Sequence, residues 1–143
     1  MTGREFLQAI YESDMRIRSL EDELATASHA LDGLSGMRYD KDKVDGGEPP
    51  DLADKLARLM DLRRNINLEW DGLVEQRAKA RLYISEMEHH RYAVILTERY
   101  LCGKSWRYIA HFLHLEKRWV FDLHKDALAE FDAIFQKYSI EMH

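Results

Sequence analysis

Two stretches of this 143-residue chain place apolar side chains at alternating steps of three and four, the spacing of a helix with one narrow apolar stripe. The first runs Phe6, Ile10, Ile17, Leu20, Leu24, Ala27, Leu31 and Leu34, and only Ser13 interrupts it. The second runs Leu52, Leu56, Leu59, Arg63, Ile66, Trp70, Leu73, Arg77, Ala80, Ile84 and Met87. Both read as heptad seams of a coiled coil, with Glu5, Glu12, Arg16, Arg18, Glu21, Asp22 and Glu23 on the solvated faces of the first. Arg63 and Arg77 are polar exceptions, of the kind that sets register or partner orientation at some cost in stability.

Between the seams stand Gly33, Gly36, Gly46, Gly47, Pro49 and Pro50, which are expected to end the first helix and form a loop at about 33–50. Inside that loop, Tyr39, Asp40, Lys41, Asp42, Lys43 and Val44 read as a solvated connector, and Asp51 reads as the N-cap of the second helix. Two seams of similar length, each roughly 45 Å or more at 1.5 Å per residue, point to a long antiparallel helical hairpin over residues 1–87. Parallel self-association of each seam is the competing arrangement. A two-helix hairpin has little core, so homo-oligomerisation through the coiled-coil arm is expected.

Residues 88–143 change character. Tyr92, Val94, Ile95, Leu96, Tyr100 and Leu101 form one apolar block, closed by Gly103 at a position where a left-handed conformation suits glycine. Ser105 is placed to cap the next helix, which carries Trp106, Ile109, Ala110 and Leu113. A short break at His114, Leu115 and Glu116 precedes a last helix from about Lys117 to Lys137, with Val120, Leu123, Ala127, Leu128, Phe131, Ile134 and Phe135 on its inner face. The fold class is therefore all-α.

Composition excludes several functions. No apolar run reaches the roughly 18–20 residues of a membrane span, and the polar start at Met1, Thr2, Gly3, Arg4 and Glu5 is unlike a signal peptide. A single cysteine, Cys102, cannot form an internal disulfide and fits a reducing, cytoplasmic setting; beside Gly103 it reads as a buried packing residue. No phosphate-cradling glycine loop, nucleophile elbow or metal-ligand spacing occurs, so no catalytic residue, cofactor or metal is expected. The net charge of −5 comes from residues 1–50, with 6 Lys/Arg against 11 Asp/Glu. Residues 88–143 balance at 8 against 8 and hold six of the seven histidines, whose protonation would turn this part basic.

The run from Glu98 through Gly103, Lys104, Ser105, Trp106, Ile109, Ala110, Leu113, Leu115 and Lys117 to Val120 resembles the helix-turn-helix of sigma-factor region 4. A close helix crossing needs a small residue, here Ala110, and the turn needs an apolar plug, here Leu115. With Tyr39, Asp40 and Val44 in the connector and Leu123, His124, Ala127 and Leu128 in the last helix, the whole chain is similar to the sigma-70-like phage transcriptional regulators of the RinA and ArpU type. The resemblance implies control of phage or prophage transcription in a bacterial host, through double-stranded DNA and in concert with host RNA polymerase. The turn carries His114 where such turns usually have glycine, and Glu116 where they have serine or threonine. A left-handed His114 is allowed at some cost.

With Val120, Leu123 and Ala127 facing inward, Lys117, Arg118, Phe121, Asp122 and Lys125 point outward. Of these Lys117, Arg118, Phe121 and Lys125 form the expected DNA-reading surface, with Lys104, Ser105 and Arg107 touching the DNA backbone from the preceding helix. Trp119 and Phe121 are large for a groove-facing surface, and packing into the core is the expectation for both. The alternative reading is a helical protein-interaction or assembly module, or a phage DNA-packaging adaptor.

Overall fold

The computed structural model describes residues 1–40 and 50–141, and the side chains of 1–33 and 51–141 among them. Helices α1 (Gly3–Asp40), α2 (Pro50–Ile84), α3 (His90–Leu96), α4 (Trp106–Leu113) and α5 (Lys117–Glu141) make up nearly all of it, and no strand occurs among the described residues. A π-helical turn, Thr97–Leu101, continues α3. No described helix is long and apolar enough to cross a membrane.

The first helix starts where Thr2 Oγ1 accepts a hydrogen bond from the backbone N–H of Glu5 at 3.1 Å. It does not stop at the glycines. Helix α1 runs through Gly33 and Gly36 to Asp40, past the expected end near Gly33. An isolated glycine costs a helix only about 1 kcal/mol, which a long heptad-patterned segment absorbs. Of the connector, residues 41–44 lie outside the described residues, as do Gly46, Gly47 and Pro49. Helix α2 begins at Pro50, whose fixed φ suits a first helical position. Asp51 is therefore within the first turn rather than at the cap, and pairs with Lys55 at 3.0 Å.

The chain divides into two compact units, Arg16–Asp71 and Met1–Met15 together with Gly72–His143. In the first, α1 and α2 lie side by side, with Ile17 and Ile66 buried and Arg16 bonded to Glu69 at 3.0 Å.

In the second unit, the start of α1 and the end of α2 pack with α5. Phe6 lies 6.0 Å from Tyr83, 6.4 Å from Phe131 and 5.2 Å from Phe135, centroid to centroid. Leu7, Ile10 and Phe131 are fully buried there. Gly3 marks the closest approach: its N–H donates to Asp132 Oδ1 at 2.6 Å. Arg77, a polar exception in the second seam, meets Asp14 at 3.1 Å, and Asp14 is buried. Burying a carboxylate without a cation is prohibitive, so this pair ties α1 to α2 in one register. Across the rest of the unit, Tyr138 donates to Glu86 at 2.6 Å, and Glu130 receives the N–H of Glu88 at 2.9 Å.

Candidate nucleic-acid interface

Three short segments build the site. The π-turn ends at Cys102, and Gly103 adopts φ 68°, the left-handed value expected for it. Cys102 itself is exposed, not buried as its neighbourhood suggested: the turn directs it outward while Tyr100 and Leu101 go inward. Ser105 then caps α4, its Oγ accepting from the Tyr108 N–H at 3.1 Å.

Helix α4 closes with His114 at φ 58°, ψ 41°. The Leu115 N–H donates to the Ala110 carbonyl at 2.9 Å and the His114 N–H to the His111 carbonyl at 3.2 Å. These two bonds form a Schellman motif, which satisfies the last carbonyls of α4 and turns the chain sharply. Leu115 folds back onto a core of Ile95, Ile109, Ala110 and Val120, with Trp106, Leu113 and Leu123 around it. Histidine thus occupies the left-handed position without breaking the turn. The Glu116 carbonyl accepts from Val120 at 3.1 Å as α5 begins.

With Val120 and Ala127 buried beneath, Lys117, Arg118, Phe121 and Lys125 are all exposed on the first turns of α5. Lys104, Ser105 and Arg107 are exposed at the start of α4. Trp106 joins the two groups, with its ring 5.3 Å from Phe121 and 4.5 Å from His124. Residues 104–125 carry five Lys/Arg against two Asp/Glu, an excess hidden by the balanced charge of 88–143 as a whole.

The two large residues do not join the core. Trp119 is 54% exposed and Phe121 43% exposed, the latter resting edge-on against Trp106. Helical geometry explains this, because Val120 between them points inward onto Ile109 and Ala110, which turns its two chain neighbours away. Tyr108 and Phe112, 6.1 Å apart and stacked, are also exposed on α4, with Lys104 Nζ 4.8 Å above the Tyr108 ring.

Residues that periodicity does not single out hold the site in place. The Arg99 guanidinium lies 4.4 Å from the Tyr11 ring centre and 4.7 Å from that of Trp106, and donates to the Lys104 carbonyl at 3.0 Å. The Tyr100 hydroxyl sits 2.7 Å from His124 Nε2. Burial, with lesser repulsion from Arg4 and Arg99, lowers the His124 pKa to about 4, and burial also raises that of Tyr100. His124 is thus neutral near pH 7 and takes no part in any basic surface, contrary to the expectation for the histidines as a group. Only the Tyr-x-x-Gly spacing before the turn hints at this cluster in the sequence.

Among the described residues, no three His, Cys, Asp or Glu side chains converge as metal ligands. No family model, curated protein or solved structure matches this chain.

Proposed function

We propose that this chain is a phage or prophage transcription regulator that binds double-stranded DNA through α4 and α5, acting as a helix-turn-helix in the bacterial host cytoplasm, in concert with host RNA polymerase. One observation carries the reading. The Schellman turn at His114 and the buried Ile109, Ala110 and Val120 hold two helices together while Lys117, Arg118, Phe121 and Lys125 face solvent. A reading helix needs such support from beneath and cations on its outer face. Lys104, Ser105 and Arg107 stand where the supporting helix meets phosphates. The lack of enzymatic motifs in the sequence agrees with a binding role.

The test is anisotropy titration with duplexes selected by the protein from a random pool, at low salt. Binding should weaken roughly 10- to 100-fold in Arg118→Ala, with relaxed sequence preference, as expected for loss of a base contact. Lys104→Ala should weaken binding to all sequences alike and flatten the salt dependence by about one unit. If no duplex is enriched and Arg118→Ala equals the parent, the proposal fails.

A second reading is a protein-interaction module or packaging adaptor, favoured by the stacked, exposed pair Tyr108 and Phe112 and by exposed Trp119, since exposed apolar surface marks protein contacts. It predicts that Trp119→Ala abolishes partner binding while Arg118→Ala does not.

A further inference from the structure

In the two-helix unit Arg16–Asp71, the described side chains leave the seam between α1 and α2 open. Among its described side chains only Ile17 and Ile66 are buried, whereas Leu20, Leu24, Leu31, Leu52, Leu59 and Leu62 are each half-buried. Leu31 and Leu59 line a groove of about 490 Å³ and also a second groove of about 320 Å³. Leu24, Leu31, Leu56, Leu59 and Met60 floor the second groove, with Arg63 and Arg64 at its edge. On α2, Leu56 and Met60 are 51 and 59% exposed one turn apart, so they share one face. A single layer of two helices cannot keep water from such a seam. A second layer can.

Charge identifies the occupant. Residues 21–32 of α1 hold Glu21, Asp22, Glu23 and Asp32 with no Lys or Arg. Residues 55–64 of α2 hold Lys55, Arg58, Arg63 and Arg64 against Asp61 alone. The Arg16–Glu69 bond sets the antiparallel register, which brings Glu21 level with Arg64. One helix of the layer is therefore acidic where the other is basic, and the layer is complementary to itself.

We propose that a second copy of this chain covers the Leu56–Met60 face, forming an antiparallel four-helix bundle. The two-fold axis runs parallel to the helices, so that α1 of each copy lies on α2 of the other. A two-fold across the helices would instead stack α1 on α1 and α2 on α2, bringing like charges together. The shared face is roughly 27 Å long and 20 Å wide from helix rise and diameter, or about 1,000 Å² over both copies. That lies at the small end for specific interfaces, so the dimer dissociates in the micromolar range. This inference stands apart from DNA binding.

Sedimentation equilibrium of the full chain tests it over about 1 to 200 μM, a range that brackets a micromolar constant. The mass should rise with concentration from 16.9 kDa toward twice that value. Leu56→Glu with Met60→Glu should weaken association at least ~100-fold, since each buried side chain is worth tenfold or more. Arg63→Glu with Arg64→Glu should weaken it roughly tenfold, and adding Glu21→Arg with Asp22→Arg should restore it. The restoration keeps the test decisive even if the apolar double variant does not fold. A parent protein that stays monomeric over the whole range overturns the proposal. So does a trimer, or a charge exchange that fails to restore association.

Discussion

Two glycine-to-alanine substitutions should move stability in opposite directions, although helix propensity favours alanine in both. A Cβ built on Gly3 falls 2.9 Å from Asp132 Cα, 2.9 Å from Phe131 Cδ1 and 3.1 Å from Asp132 Oδ1. The first of these atoms is backbone and the second belongs to a fully buried ring, so neither can swing aside. The start of α1 would have to lift from α5 and stretch the 2.6 Å bond to Asp132. Overpacking of this kind costs about 1–3 kcal/mol, against a propensity gain of at most about 1 kcal/mol. Gly3→Ala should thus lose about 1–2 kcal/mol, a fall in Tm of roughly 3–6 °C for a chain of this size. At Gly72, in α2, a Cβ meets nothing within 4 Å. Gly72→Ala should gain about 0.5–1 kcal/mol, raising Tm by about 2–3 °C. Urea unfolding followed by circular dichroism measures both. If both variants are stabilised, or Gly3→Ala is neutral, the close approach of α1 to α5 is not as described.

His114→Gly should stabilise the turn by about 0.5–1 kcal/mol and His114→Val should destabilise it by about 1–2 kcal/mol, because the φ of 58° strains a branched side chain most; thermal melts of the two variants check the order. Arg77→Met should cost about 3 kcal/mol by removing the cation from buried Asp14, while adding Asp14→Leu should recover most of it, as a double-mutant cycle in urea would read. For His124 the folded pKa of about 4 lies below the unfolded value of 6.5. The unfolded chain therefore takes up the proton first, and stability should fall as pH drops from about 6.5 to 4. Discounted for the partial exposure of this group, the loss is about 1–2 kcal/mol. Unfolding curves at stepped pH should show this slope in the parent and a shallower one in His124→Gln.

Local features were legible without coordinates. Three-and-four spacing marks the helices, Gly103 and Ser105 bracket the start of α4, and Leu115 and Val120 declare themselves as inward by their place in the period. These depend on backbone geometry and near neighbours, which a linear pattern carries directly. The outward position of Lys117, Arg118 and Lys125 follows from the same phase, whereas Phe121, expected in the core for its size, is exposed. Gly33 and Gly36 misled because breaker residues only tilt a local balance by about 1 kcal/mol each, and a long helix overrides that.

The amino-acid order alone determined that this chain is helical, where its apolar stripes lie, and that α4 and α5 are separated by a turn. Tertiary structure decided which stripes meet. It joined the first turns of α1 to α5 through Gly3 and Phe6, buried Asp14 beside Arg77, stacked Arg99 between Tyr11 and Trp106, and left Trp119 in solvent. Periodicity records the face that each residue takes on its own helix. The partner of that face is set by side-chain shape and charge contributed from segments far away in the chain, and no local spacing encodes it.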